Sequence, residues 1–377
     1  MSIAKFWAGM LLATALFTAA AADEVVDVTE KGSVRALTLT EGLRYPWALA
    51  FLPDARMLVT EREGRLQLLS ATGQKLGQVK GLPEIAAGGQ GGLLDVLVHP
   101  DFAMNRVLYF SYVAEDIDGR GTEVARAELH GQTLRNRQVI FRLQPKSTGG
   151  RHFGSRLLHD GRGHLYITLG DRGDRPRAQD VTDAAGSVIR LRDDGTVPDD
   201  NPVFAQKDAV PGLFSVGHRN IQGAFIHPKT GDVWLHEHGP QGGDELNIAE
   251  AGKNYGWPVI TYGVNYVIGT RIVEGTHKPG MEQPLYYWVP SIAPSGMTYY
   301  TGDKLPQWRG DLLVGSLKFR TLVRLEVQGR EVVHEERLFT DELGRIRDVR
   351  TGPDGYVYVL TDARNGKLVR LEAVASE

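Results

Sequence analysis

The 377-residue chain contains no cysteine. Disulfides, thiolate nucleophiles and cysteine-ligated zinc or iron–sulfur centres are thereby excluded, so any chemistry must come from oxygen and nitrogen ligands or from a bound cofactor. A long basic run is also missing. With 43 Lys+Arg against 46 Asp+Glu the formal charge is −3, and nothing points to nucleic acid as a partner. No apolar run reaches the roughly 20 residues that a membrane-spanning helix needs. No amphipathic helical pattern of about 10–15 residues separates the apolar stretches, which argues against an α/β barrel. What remains, 42% hydrophobic and 24% charged, is the composition of a globular protein rather than a disordered or fibrous one.

The N-terminus reads as a leader. Lys5 precedes an apolar stretch from Phe6 to Thr18, and small residues ending Ala20-Ala21-Ala22 lead into Asp23. A short positive region, an apolar region and an Ala-x-Ala site make a cleaved signal peptide over residues 1–22. The alternative, a membrane anchor, asks for a longer apolar run. The expectation is an exported protein, periplasmic or secreted, formed by residues 23–377 as a single domain with no membrane insertion after cleavage. Without cysteine its fold is indifferent to the redox state of that compartment.

One pattern recurs six times: an apolar-alternating run, a turn rich in Pro, Asp or Gly, then a second β-rich run. The copies begin at Ala48, Leu94, Ser155, Gly223, Gly296 and Asp348, and their second runs at Met57, Val107, Leu165, Val233, Leu312 and Val357. Period-2 alternation on both sides of short turns reads as hairpins. Several are followed by a third strand, such as Arg65-Leu66-Gln67-Leu68-Leu69 and Lys367-Leu368-Val369-Arg370-Leu371. Six copies at about 59 residues each fit a six-bladed all-β propeller with four-stranded antiparallel blades. A β-sandwich or two small β-domains accommodates six evenly used copies poorly, and no linker divides the chain.

In a propeller the residues just before the innermost strands ring one end of the central channel, and the loops leaving the second strands face the same end. Those positions hold Gln90, His152, Arg219, Asn220, Arg345 and Arg347 before the inner strands, and Asp171, Lys318 and Asp362 on the exit loops. Four cations, Arg219, Lys318, Arg345 and Arg347, repel one another on one mouth unless an anion sits among them. Planar guanidinium groups pair well with carboxylates and phosphates, so the pocket asks for a polyanionic small ligand. Alternatively, each Arg closes its own blade on a carboxylate or carbonyl. The Gly-rich flanks of Gln90 and His152 allow close backbone approach. His152 is the general-base candidate, with Asp171 on the next loop of its blade to set the tautomer. Ser155 and Ser187 lack a nucleophile-elbow context, which disfavours a serine hydrolase.

A second constellation runs His236-Glu237-His238-Gly239-Pro240-Gln241-Gly242-Gly243-Asp244-Glu245-Leu246-Asn247. Zinc lacks a third ligand at motif spacing. The backbone carbonyls and carboxylates of this run are calcium ligands, and the competing reading is a polar loop between strands. Gly170-Asp171-Arg172-Gly173-Asp174 is similarly open. Gly161-Arg162-Gly163 precedes no helix and makes no nucleotide-binding fingerprint.

These residues together resemble the soluble aldose sugar dehydrogenases related to soluble glucose dehydrogenase, which use pyrroloquinoline quinone (PQQ) and calcium. The resemblance runs from Pro46-Trp47 to Thr361-Asp362. Its most specific pieces are Gly89-Gln90-Gly91-Gly92, His152 with Gly170-Asp171, Gly217-His218-Arg219-Asn220, His238-Gly239-Pro240 with Gly243-Asp244-Glu245, Asn254-Tyr255-Gly256-Trp257-Pro258, Ser316-Leu317-Lys318 and Arg345-Ile346-Arg347-Asp348-Val349. The resemblance implies that Gln90, Arg219, Asn220, Lys318, Arg345 and Arg347 bind PQQ, whose three carboxylates are the anion the pocket asks for. It implies a catalytic calcium on the carbonyls of Gly239 and Pro240, and a structural calcium on Glu245 and the backbone of Tyr255. His152 would take the proton of the anomeric hydroxyl while hydride passes from C1 to the quinone, Asp171 would orient His152, and an external acceptor would receive the electrons. The chain lacks the long insertions of glucose-specific relatives, so an open pocket and broad aldose specificity are expected; a monomer is expected as well. Two other readings compete: a calcium-dependent lactonase or esterase, which would want carboxylates rather than cations on the axis, and a non-enzymatic ligand-binding propeller.

Overall fold

The computed structural model describes residues 24–267, 269–272 and 275–374. The expected leader lies outside them. Among the described residues no helix is long and apolar enough to cross a membrane.

Six antiparallel sheets follow one another along the chain. Five have four strands each, in the orders Pro46–Phe51 to Lys75–Val79, Leu93–Val98 to Thr133–Arg142, Leu157–His159 to Leu213–Val216, Ile221–Ile226 to Tyr286–Trp288, and Pro294–Tyr299 to Glu331–Leu338. These are blades 1 to 5. The first strand of each is the innermost, and the six inner strands touch in ring order, with Ile346–Thr351 of blade 6 closing onto Pro46–Phe51 of blade 1. The expected propeller, its blade number and its inner hairpins are all present.

The ring closes in a way the repeat alone does not announce. Blade 6 has only three C-terminal strands, and its fourth is the N-terminal strand Gly32–Leu43, paired antiparallel with Gly366–Ala373. Glu24–Thr29 adds a fifth strand at the outer edge. Joining the two ends of the chain in one sheet ties the ring shut with a full ladder of backbone hydrogen bonds and removes an exposed edge.

The alternation seen in the sequence puts apolar side chains on both faces of each blade, because each blade is covered on both sides by its neighbours. Six apolar clusters result, one in each wedge between adjacent blades. Trp47, Leu93 and Phe110 join blades 1 and 2, for example, while Leu43, Val59 and Leu360 join 6 and 1. Burying one leucine or valine side chain is worth about 1.5–3 kcal/mol, so the wedges dominate stability.

Five of the six inner hairpins break register near the start of the inner strand, between Pro46 and Ala48, Leu93 and Val96, Ile221 and Gly223, Pro294 and Met297, and Ile346 and Asp348. An extra residue there re-aims the side chains at that end of each blade. All five bulges lie at the same end of the channel, the one holding the candidate site.

Candidate active site

His152 sits in the loop entering blade 3, in the left-handed region with φ +54°. Its backbone N–H donates to Gln90 Oε1 at 2.7 Å, which locks the loop to blade 2. Its ring Nδ1 lies 2.6 Å from Asp171 Oδ1, and the two side chains are 11% and 1% exposed. Asp171 is held on every side: Gly173 N–H donates to Oδ1 at 2.7 Å, Trp257 Nε1–H to Oδ2 at 2.8 Å, and its own N–H donates to the Arg219 carbonyl at 2.9 Å. Burial lowers the His152 pKa, and the Asp171 hydrogen bond only partly offsets it. For Asp171 burial pushes upward, yet the His152 hydrogen bond and charge, with Arg219 nearby, leave the carboxyl below its usual range. An ionised Asp171 accepts the Nδ1 proton, so Nε2 of a neutral His152 carries the free lone pair. Glycine makes this packing feasible: a Cβ on Gly170 would stand 2.3 Å from the His152 carbonyl, and one on Gly89 2.3 Å from that of Gly150. The glycines flanking Gln90 and His152 thus let loop pack on loop.

Beside the dyad lies a cavity of about 260 Å³ over the end of the channel. Of the expected residues, Gln90, Asn220, Arg345 and Arg347 line it, together with Arg62, Gln222, His238 and Asp362. Trp47 forms part of its wall. Arg219 is buried behind the wall, its Nη1 donating to the His238 carbonyl at 3.0 Å and its guanidinium 5.2 Å from the Trp257 ring centroid. Lys318 departs from the expected ring of four cations. Only its neighbour Leu317 lines the cavity, and its ammonium rests 5.2 Å from the Phe319 ring centroid over a separate surface depression. The remaining charge is also partly met from within: Asp362 pairs with Arg345 at 2.9 Å and lies 3.7 Å from Arg347.

Two donors in and behind this wall have no partner. The Nε atoms of Arg219 and Arg347 are buried and unbonded among the described residues. Burial lowers the pKa of Arg347 to about 10, so it stays charged at neutral pH. What faces the cavity is charge: Arg62, Arg345 and Arg347 line it with Asp362 as the one lining carboxylate, an excess of cation that an anionic ligand would meet. The cavity's neutral groups complete the set: burial pushes His238 down to about 3, and its Nε2 donates to the Pro294 carbonyl at 2.6 Å.

Underneath, four charged side chains, all buried except the half-buried Arg350, plug the channel. Arg156 lies 2.9 Å from Asp348 and 3.4 Å from Asp95, Arg350 bonds both carboxylates at 2.9 and 3.1 Å, and the Arg156 guanidinium stacks 4.2 Å from the Trp47 ring centroid. This quartet ties blades 2, 3 and 6 beneath the cavity and fixes the Trp47 wall.

The calcium-type donors cluster on blade 4. Asp244 accepts from Gly239 N–H at 2.9 Å and from Ile292 and Ala293 N–H at 2.8 and 3.0 Å, which pins the Gly239–Pro240 turn. Among the described residues no group donates to the Gly239 or Pro240 carbonyl. Glu245 stands across the strands from Glu237. Burial first, then the Glu237 charge, raises the Glu245 carboxyl far above its usual range. Tyr255 stacks on His218 with ring centroids 4.6 Å apart, and His218 Nδ1 is 2.8 Å from Glu237 Oε1. Carbonyls without a donor and, on the same blade, a crowded carboxylate pair are the donor types a hard divalent cation takes. His218 Nε2 also lies 2.9 Å from Ser215 Oγ, a serine–histidine–carboxylate order, but serine and histidine are both 0% exposed, so no substrate reaches them.

Sequence reasoning missed Trp257, which anchors Asp171 from 86 positions away, and the wall residues Arg62, Gln222 and His238. Trp257 and His238 stood inside quoted motifs, but nothing local assigns them a partner. His238 follows its blade's second strand as Asp171 and Asp362 follow theirs, and that exit-loop position was the usable signal for it.

The sequence profile of the Glucose / Sorbosone dehydrogenase family matches residues 43–370. Aldose sugar dehydrogenase YliI of Escherichia coli K12 is 45% identical over 345 residues, covering 90% of this chain and 93% of that protein. The crystal structure of the soluble aldose sugar dehydrogenase from Escherichia coli, in the apo form, superposes with a TM-score of 0.88 at 44% identity, over 90% of this chain and 100% of that one. The PQQ-bound aldose sugar dehydrogenase of Streptomyces coelicolor superposes with a TM-score of 0.74 at 26% identity, over 94% and 99%.

Proposed function

The chain belongs to the glucose and sorbosone dehydrogenase family and is an aldose sugar dehydrogenase of its PQQ-dependent kind, and from that premise we propose how its residues oxidise an aldose at C1 to the lactone. One observation supports this reading above the others: the His152–Asp171 dyad, bonded at 2.6 Å, stands beside a cavity lined by Arg62, Arg345 and Arg347 with Asp362 as the one lining carboxylate. PQQ, when bound with calcium at the Gly239 and Pro240 carbonyls, supplies the hydride acceptor and its polarisation.

The protein's own part is binding and proton transfer. His152 Nε2 accepts the proton of the anomeric hydroxyl as C1 gives up its hydride, two electrons leaving with it. Asp171 holds the Nδ1–H tautomer and stabilises the imidazolium that forms. Trp257 and the Gly173 amide keep Asp171 ionised and in place. Arg219, Arg345, Arg347, Asn220 and Gln90 would take up the cofactor's carboxylates and polar edge, and Lys318, whose ammonium rests on Phe319 outside the cavity, would have to swing off that ring to join them. Glu245, across the strands from Glu237, and the Tyr255 backbone would hold a second, structural calcium. An external acceptor then receives the electrons, and the leader over residues 1–22 places the enzyme outside the cytoplasm.

The test is dye-linked oxidation of a panel of aldoses by metal-stripped protein, with and without PQQ and calcium. Activity that requires both is expected, and His152→Ala should lower turnover by about 10²–10⁴-fold while cofactor affinity stays within a few-fold. No activity under any combination, with no PQQ retained, would return the chain to the lactonase or ligand-binding readings.

A further inference from the structure

The wedges between blades can be compared position by position at the end of the channel opposite the candidate active site. Between blades 2 and 3 the wedge is closed by a polar clamp. His159 Nε2 lies 2.6 Å from Asp193 Oδ1, His99 Nε2 3.3 Å from Asp193 Oδ2, and the Tyr109 hydroxyl donates to Asp193 at 3.2 Å. The ligand atoms of His99, His159 and Asp193 all fall within 4.8 Å of one another, a spacing that a metal could use. The tautomers argue otherwise. Nδ1 of His99 accepts from Asp101 N–H at 2.9 Å and Nδ1 of His159 from Gly161 N–H at 2.9 Å, so both Nε2 atoms carry protons and point them at the carboxylate.

Between blades 4 and 5 the same positions carry a different set. His227 follows its inner strand as His99 does, and the Phe225–Trp234 cross-strand pair matches Leu97–Tyr109. Tyr299 closes its hairpin against Leu312 as His159 does against Leu165. Register through the third strand, Leu325 opposite Leu312 and Leu191 opposite Leu165, places Val327 where Asp193 stands. The donors of the clamp are therefore kept, in His227 and Tyr299, while its carboxylate is replaced by an apolar side chain.

The result is an open cleft of about 350 Å³ instead of a closed wedge. Its floor is aromatic: the Phe225 ring lies nearly parallel to Trp234 and Tyr299, at interplanar angles of 20° and 18° and centroid distances of 5.9 and 5.8 Å. Nδ1 of His227 accepts from the amides of Lys229 and Thr230, each at 3.3 Å, so Nε2 bears the proton as in His99. Burial keeps the His227 pKa below its ordinary value, in line with a neutral ring. Among the described residues neither His227 Nε2 nor the Tyr299 hydroxyl has a hydrogen-bond partner. At the rim Asp232 is taken by Arg330 at 3.4 Å, and the Lys229 ammonium has no ion-pair partner among the described residues.

We propose that this cleft is a ligand site for a small aromatic carboxylate, whose flat ring lies on the Phe225–Trp234–Tyr299 floor and whose oxyanion occupies the place Asp193 fills in the other wedge. There it takes the His227 Nε2–H and Tyr299 O–H hydrogen bonds, with Lys229 adding charge from the rim. Offset stacking on a parallel aromatic floor selects a planar ring. Two neutral donors and an ammonium, with Asp232 and Glu250 both paired to Arg330, select an anion over a cation. The volume suits one or two fused rings. The site stands apart from the sugar-oxidising cavity, and its existence does not depend on the function proposed for that cavity.

The probe is 2-naphthoate, titrated calorimetrically into the full chain. Saturable binding is expected, at least about tenfold tighter than for the neutral 2-naphthalenemethanol, since a hydrogen bond to a charged group is worth roughly that factor. Val327→Asp rebuilds the other wedge's carboxylate, so it should cost at least about tenfold in naphthoate affinity by closing the clamp from within, whereas Val327→Ala should retain binding. Arg347→Met, in the other cavity, should leave naphthoate binding unchanged. If Val327→Asp does not fold, as judged by circular dichroism, His227→Phe replaces it: the ring stays, and the preference for naphthoate over the alcohol should fall. Absence of binding at millimolar naphthoate, unaltered affinity in Val327→Asp, an unaltered preference in His227→Phe, or loss of binding in Arg347→Met would each overturn the proposal.

Discussion

Replacing Asp171 by Asn tests the dyad most directly, because the structure leaves the amide no good orientation. Asp171 Oδ1 receives His152 Nδ1–H and Gly173 N–H, and Oδ2 receives Trp257 Nε1–H. An amide offers one acceptor oxygen and one NH₂, so in Asp171→Asn one edge must present donor to donor. With the NH₂ toward Trp257, the indole N–H is orphaned and the charge that steadies the imidazolium is gone. With the NH₂ toward His152, Nδ1 must become the acceptor, the proton moves to Nε2, and the base is lost. The first arrangement removes a charge-assisted hydrogen bond worth about 1.5–3 kcal/mol, or roughly 10- to 100-fold in rate. The second approaches the ~10⁴-fold seen when a catalytic histidine is held in the wrong tautomer. The assay is kcat/KM for an aldose across pH with the cofactor-loaded enzyme. In the wild type the rate falls on the acid side as His152 protonates, below the ordinary histidine pKa because burial lowers it. Without the Asp171 charge that raises this pKa, the acid limb should move to lower pH and the plateau should drop by at least tenfold. A plateau within threefold of wild type, with the acid limb in place, would refute the assignment of His152 and Asp171 as base and partner.

Three further outcomes follow from the geometry. Arg347→Met removes the cavity guanidinium whose Nε is unmet, and should weaken PQQ binding, followed by absorbance titration, by about tenfold or more. Calcium added to chelator-treated protein should raise the melting temperature, by the equivalent of about 2.7 kcal/mol at a hundredfold excess over Kd, and Glu245→Gln should abolish most of that gain. Deleting residues 24–43 strips the outer strands from blade 6 and exposes the Gly366–Ala373 edge, so the variant should lose its cooperative melt and aggregate, read by calorimetry and light scattering.

The meeting of His152 with Asp171 in the candidate site was legible because it is local to one blade. His152 and Asp171 flank the inner hairpin of blade 3, and any propeller numbering brings such positions together. Trp257 was not legible in its role: it comes from the long connection between the third and fourth strands of blade 4, and only the ring's curvature delivers its indole to Asp171. The expected cation ring shows where the repeat stops being informative. Equivalent blade positions placed Arg345, Arg347 and Lys318 together, but Lys318 turns onto Phe319 and Asp362 reaches back to both arginines.

By itself the sequence determined the hairpin repeat, its count of six and the end of the ring where polar residues collect, since period-2 alternation and turn chemistry are local properties that any sheet must obey. Tertiary structure alone decided how the ring closes, with Gly32–Leu43 completing a blade built from residues more than 300 positions away. It also decided which charges meet inside the channel, which donors stay unpaired, and which wedge between blades fills with a carboxylate and which stays open. Those outcomes depend on the rotation between neighbouring blades, and that rotation is set by how the apolar wedges pack, a property of six interfaces at once and of no single stretch of chain.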